Sequence, residues 1–239
     1  MSKKILIDPG HGGTDPGRIG WGIKEKDPNL AVGLALAKKL LIYDAEVKLT
    51  RQDDDSISLD QRSGLAKVFG PDLCISCHHN GVSSQTATGV EVFYSHSRPA
   101  AQALAARISA GIAKAGLCNR GAKTWLNASG TDYHHMIRKV ESAATTALIV
   151  EAGFLSNPAD AELIRTEAYQ DLEAQVMADA AAEYLGLELK AKASTVPAWQ
   201  EAGFASLIQR GIITTPEYWQ GKLDQPITVG ELMGILAKL

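Results

Sequence analysis

The chain predicts an α/β fold: a largely parallel sheet with helices on both faces, followed by a small, mainly helical C-terminal segment. Three observations lead there. Short apolar runs of strand length recur through the first two thirds, segments long enough for helical crossovers separate them, and helix-start signals open those segments.

Residues 4–8 (KILID) form the first strand. DPNLAVGLALAKKLL begins a helix with Asp27 as N-cap and Pro28 at the first helical position, and Leu30, Leu34, Ala37 and Leu41 share one face. Residues 46–50 (EVKLT) are a second strand. Ser58 and Gln61 make a capping box that opens the helix SLDQRSGLAKVF. Strands follow at DLCISC and at 89–95 (GVEVFYS). An alanine-rich helix covers 99–115, with Leu104, Ile108 and Ile112 at helical spacing and Gly116 ending it. Residues 117–143 read as a loop-rich excursion with one short helix. TALIVE (146–151) is a strand, Asn157-Pro158 caps a short helix, and YQDLEAQVMADAAAEYLG closes the domain with another.

Composition shifts at residue 187, giving a main domain over 1–187, a linker over 188–197 (LELKAKASTVP ends in proline) and a tail over 198–239. The tail holds Trp199 and Trp219, with Leu207, Ile208, Ile212, Ile213, Leu232, Ile235 and Leu236 at helix-like spacing. So few residues make a marginal core. Two readings stand: a mini-domain with an aromatic binding surface, or a helical layer packed on the main domain.

Bulk properties exclude several classes. A net charge of −3 over 239 residues supplies no basic field for nucleic acid. No apolar stretch is long enough to span a bilayer. MSKKILIDPG lacks the apolar core and cleavage site of a secretory signal, so the expectation is a protein made and folded in a cytosol. Its oligomeric state is taken as monomeric. Three cysteines make a disulfide framework a poor reading. CISCHH invites a zinc or redox site, but strand alternation sends Cys74 and Cys77 to opposite faces, so both read as packing thiols.

ILIDPGHGG puts a lone histidine on a glycine-rich turn after the first strand. No G-x-G-x-x-G register fits and no G-K-[ST] follows, which argues against a phosphate loop. His11 alone could be a solvent-facing turn residue. His78, after DLCISC, and Glu151, ending TALIVE, leave the sheet at strand ends as well, where parallel strands converge on a crevice. Glu25, in WGIKEKD, starts from the same edge. Two histidines and one carboxylate make a catalytic zinc set, and a second carboxylate can carry the proton of an attacking water. Gly10, Gly12 and Gly13 would let the turn aim His11 inward.

ILIDPGHGGTDPG, KEKDPNLAV, LTRQDDDSISLDQRSGLA, DLCISCHHN and LIVEAGFLSNP, in that order, resemble the zinc-dependent N-acetylmuramoyl-L-alanine amidases of the amidase_3 type, found in bacterial wall amidases and phage endolysins. The resemblance runs over about residues 3–186 and implies a mixed, mostly parallel sheet flanked by helices. It implies one zinc ion held by His11, Glu25 and His78, with Glu151 as the catalytic proton carrier and peptidoglycan as substrate. The family commonly has asparagine where this chain has Lys67. YHHMIRK matches only loosely, leaving His134 and His135 as candidates for substrate contact and His79 without a role. The missing secretory signal, one amidase-like domain and a short tail together look like a phage endolysin held in the host cytoplasm before lysis, and the tail resembles terminal segments of lysins, which implies cell-wall binding. Rival readings are a zinc peptidase or deacetylase on the same polymer, a wall-binding module with a dead metal site, and a host autolytic or sporulation amidase.

Overall fold

The computed structural model describes residues 2–190, 198–215, 219, 222 and 228–236. The chain forms two compact units, Met1–Lys190 and Ala191–Leu239. The first unit opens with β1 (Lys3–Pro9), the hairpin β2 (Ile19–Gly20) and β3 (Ile23–Lys24), α1 (Lys26–Leu40) and β4 (Ala45–Leu49). Next come α2 (Leu59–Phe69), β5 (Leu73–Asn80), β6 (Val90–Tyr94), α3 (Gln102–Ala113) and β7 (Asn119–Lys123). It closes with α4 (His135–Val140), β8 (Thr146–Phe154), α5 (Pro158–Ile164) and α6 (Glu167–Leu185).

Six strands make one sheet in the order β4-β1-β5-β8-β6-β7. Every pairing in it is parallel except that of β6 with β8. The central strands β1, β5 and β8 are buried on both faces, which explains their unbroken apolar runs. Ile5, Ile7, Leu73, Ile75, Cys77 and Val150 pack beneath α1, α3 and α6. Leu6, Cys74, Phe93, Ala147 and Ile149 pack on the opposite face beneath α2 and α4. Cys74 and Cys77 thus lie on opposite faces, both buried and free, as strand parity requires.

Several expectations need correcting. α1 begins at Lys26 with Glu25 at its N-cap, so Asp27 lies in the first turn and caps nothing. Its buried face is Asn29, Val32, Leu36 and Leu40, whereas Leu34 and Leu41 are exposed. Apolar residues surround this helix, so periodicity alone did not distinguish the stripe that meets the sheet. β7 falls inside the segment read as loop: NRGAK is a half-exposed edge strand with no apolar alternation. β5 and β8 run past their expected ends, because they stay paired with each other as far as Asn80 and Phe154, and β8 pairs with β6 as far as Ala152. Residues 188–190, read above as the start of the linker, are hydrogen-bonded instead to the segment after α1, through Asp44 N to Glu188 O (2.8 Å) and Lys190 N to Ile42 O (2.8 Å). Linker residues 191–197 lie outside the described residues.

In the second unit, α7 (Ala198–Gln209) and α8 (Val229–Leu236) are helical, and Ile212 and Ile213 are buried. Thr228 caps α8: its hydroxyl accepts from Glu231 N at 3.2 Å, while the Glu231 carboxylate accepts from Thr228 N at 2.9 Å. No helix among the described residues is long and apolar enough to cross a membrane.

Candidate metal centre

The turn that carries His11 is held by two arginines. Arg62, buried in α2, pairs with the buried Asp8 at 2.7 Å and donates to the carbonyl oxygens of Pro9 (2.6 Å) and His11. Arg51 donates to Pro9 O (3.0 Å), Gly10 O (2.8 Å) and Lys26 O (2.8 Å), tying the turn to the start of α1. Asp8 also accepts from Thr50 Oγ1 (2.7 Å) and Ser76 Oγ (2.8 Å). Burial opposes its ionisation, but the Arg62 charge and these hydrogen bonds prevail and hold its carboxyl below the usual range. The clamp fixes an unfavourable backbone: His11 has φ 60°, a left-handed conformation that costs a non-glycine residue roughly 1–2 kcal/mol.

Two glycines give the site its close approaches. A Cβ on Gly10 would lie 2.2 Å from the His78 ring. One on Gly17 (φ 63°) would lie 2.5 Å from His11 Cδ2 and 2.6 Å from Glu25 Oε2. Neither position accepts a side chain without displacing a donor of the site.

Among the described residues, His11, Glu25 and His78 form one group with ligand atoms all within 4.8 Å of one another. Glu25 stands between the imidazoles, with Oε2 3.1 Å from His11 Nε2 and Oε1 2.9 Å from His78 Nδ1. It also accepts from Arg18 N (2.8 Å), His79 N (3.2 Å) and Asn29 Nδ2 (3.2 Å). Burial raises the proton affinity of Glu25, but the two imidazoles outweigh it and keep the carboxyl ionised far below the ordinary range. Asp15 Oδ2 lies 2.8 Å from the other His11 ring nitrogen, the usual device for orienting a metal-binding imidazole. Two nitrogens and one carboxylate suit zinc and its borderline neighbours better than calcium or magnesium, which prefer all-oxygen shells. The residues therefore fit a transition-metal ion.

Burial disfavours a charged His11 ring, but hydrogen bonds to Glu25 and Asp15 and their charges prevail, pushing its pKa up to about 9. This shift stabilises the metal-free fold below pH 6.5, and the contribution is lost as pH rises through about 9. A metal needs the neutral ring, so binding expels a proton. Zinc affinity is expected to rise about tenfold per pH unit over roughly pH 6–8. Competition titrations at several pH values check this; a flat profile contradicts it.

Glu151 is not one of the three donors. It lies in β8 directly between His78 of β5 and Glu91 of β6 in the sheet register. Its Oε2 is buried without a hydrogen-bond partner among the described residues. Burial, then the charges of Glu25 and Glu91, hold its pKa well above the carboxylate range. Glu91 itself is neutralised by Lys123 (2.5 Å) and Arg120 (2.6 Å). A cavity of about 780 Å³ opens over His11 and His78, and its far wall includes Tyr133, His134 and Arg138. His134 packs on Phe93 with ring centroids 4.6 Å apart, and its buried Nε2 also lacks a partner among the described residues. Burial, reinforced by the His78 charge, lowers its pKa to about 4, leaving the ring neutral at pH 7.

The remaining histidines separate by face. His79 points away from the cavity into the helical layer, 2.8 Å from Asn29 Oδ1 and 3.2 Å from Glu173 Oε1. His135 lies 3.2 Å from Ser63 Oγ and lines the cavity. Lys67 is exposed on α2. Sequence reading missed Asp8, Arg51, Arg62 and Asp15 as members of the site. The spacing Asp15-to-His11, four residues apart on one turn, was the only local signal among them.

An α/β sheet whose edge carries an open His-Glu-His donor set, with a separate half-buried carboxyl beside it, is suited to metal-dependent hydrolysis. Comparison with known proteins narrows the class. Residues 5–183 match the family model described as N-acetylmuramoyl-L-alanine amidase (Amidase_3), and the chain belongs to that family. It is 31% identical over 187 residues to the N-acetylmuramoyl-L-alanine amidase LytC of Bacillus subtilis, covering 77% of this chain and 36% of LytC. The chain thus spans about a third of that relative's length. The catalytic domain of CwlV, an amidase from Bacillus (Paenibacillus) polymyxa var. colistinus, superposes with a TM-score of 0.69 at 33% identity, covering 78% of this chain and 99% of that one. An N-acetylmuramoyl-L-alanine amidase from Clostridium difficile 630 gives 0.69 at 31% identity, covering 77% and 97%. These solved structures carry the same mixed, mostly parallel sheet between helices.

Proposed function

We propose that this chain hydrolyses the amide bond between N-acetylmuramic acid and L-alanine in peptidoglycan, using one zinc ion. The observation that carries the reading is the His11-Glu25-His78 donor set beside the unpartnered Glu151 carboxyl, in a chain of this family. Bound among these donors, a zinc ion would supply Lewis acidity toward the amide carbonyl and a water, and its charge would offset the repulsion that keeps Glu151 protonated. Glu25 and the two imidazoles would hold the ion, with Asp15 orienting His11. Glu151 takes a proton from the attacking water at its carboxylate oxygen and returns it to the alanine nitrogen as the C–N bond breaks.

Product analysis tests this. Digested walls should yield free muramic lactyl groups and intact stem peptides, and a chelator should stop the reaction until zinc is restored. Products cut within the peptide, or deacetylated sugars, would favour the rival zinc peptidase or deacetylase. Product formation unaffected by chelation would remove the metal from the account.

We further propose that the second unit binds cell wall and that the protein acts as a phage endolysin, held in the host cytoplasm until a membrane pore releases it. Support comes from the likeness of GIITTPEYWQGKLDQPITVGELMGILAKL to terminal segments of lysins. Expressed in a bacterial cytoplasm, the full chain should lyse cells only with a co-expressed pore protein. A chain ending at residue 190 should no longer sediment with purified walls. Lysis without a pore would favour a host autolysin, and unchanged sedimentation would refute wall binding by the tail.

A further inference from the structure

Two arginines line the cavity, and their surroundings differ. Arg62 is fully engaged with Asp8 and the turn carbonyls. Arg138, in α4 and half-buried, has no carboxylate within ion-pairing distance among the described residues. Its Nη1 donates to Asp132 O and Tyr133 O, both at 2.6 Å, which fixes the guanidinium plane. The Nε and Nη2 donors have no partner among the described residues. That edge of the fork is a geometry in which arginine takes a carboxylate through two parallel hydrogen bonds.

The other charges of the cavity leave this arginine uncompensated. Asp8 is matched by Arg62, Asp15 by His11, and Glu25 by the two imidazoles. His134 beside it is neutral at pH 7. A pre-oriented cation in a cavity that also contains the metal donors is built for an anionic part of the molecule being cut, because little further ordering is needed on binding.

Resting on the amidase reading, we propose that Arg138 is a specificity-determining residue that binds the free α-carboxylate of the second amino acid of the stem peptide. That residue follows alanine, about 7 Å of extended chain from the scissile bond. Bacterial walls present this position either as a carboxylate or as a carboxamide, so a charge-reading arginine would sort the two.

The test compares metal-loaded wild type with Arg138→Gln and Arg138→Lys on two N-acetylmuramyl-tripeptides that differ only in carboxylate or carboxamide at that position. Wild type should favour the carboxylate by about 10–100-fold in kcat/KM, mainly through KM, the scale of one charge-assisted contact. In R138Q the ratio should fall to within about twofold, and R138K should retain part of it. A purely structural role, through the two carbonyls that Nη1 holds, would slow both substrates alike and preserve the ratio, which would overturn the proposal. So would a wild type that does not discriminate. If wild type cleaves neither compound, the amidase reading has failed. The inference is then read from calorimetric binding of the same two compounds to the same proteins, where equal affinities overturn it.

Discussion

Glu151→Gln is expected to lower turnover by about 10²–10⁴-fold while the purified protein keeps its metal and its melting temperature. The expectation follows from where the carboxyl sits. It is outside the three-donor group, so its loss leaves the ligands of the ion in place. It is half-buried, with Oε2 buried and unpartnered among the described residues, so exchanging it for an amide of the same shape removes no hydrogen bond from that oxygen and no paired charge. What disappears is the only group in this account that carries a proton between water and the leaving nitrogen. Metal analysis beside a turnover assay checks both halves. A variant that loses zinc with activity would make Glu151 a ligand, and one that retains activity would move the proton transfer elsewhere.

Arg62→Ala should have the largest effect on the fold. It leaves Asp8 buried and charged without its partner, a change that typically costs 3–5 kcal/mol. For a chain of this size that corresponds to a fall in Tm of about 6–20 °C. The carbonyls of Pro9 and His11 lose donors in the same step, so the left-handed turn that aims His11 is released and zinc affinity falls with stability. Ser58→Ala is the control on the same helix: it removes a capping hydrogen bond worth about 1 kcal/mol and should leave metal binding intact. Thermal melts and zinc titrations of the two variants separate the effects. An R62A protein with wild-type Tm and zinc affinity would show that the clamp does not hold the site.

The legible parts of this protein were those with a local signature. The Ser58-Gln61 box and the Asn157 cap lie within four residues of the groups they bond, and both occur as expected. His11 and His78 were legible because each follows a segment whose strand character is written in its apolar run; Glu25 was placed only by the loop WGIKEKD, which leads from the same sheet edge into α1. The clamp was not legible: Arg62 and Asp8 are 54 residues apart, and nothing near either announces the other. Nor was the packed face of α1. Asn29 is buried there because it donates to Glu25 and accepts at His79, a reason that belongs to the site rather than to helical periodicity. β7 escaped notice because an edge strand needs only one paired side and little apolar surface.

Anomalous diffraction at the zinc edge, from crystals of the zinc-loaded protein, tests the central claim most directly. The account predicts a single strong peak about 2.0–2.2 Å from one nitrogen of His11, one nitrogen of His78 and a carboxylate oxygen of Glu25, with Glu151 nearby but unbonded. A peak that omits any of these three, or saturating zinc that leaves them without a shared ion, would contradict it.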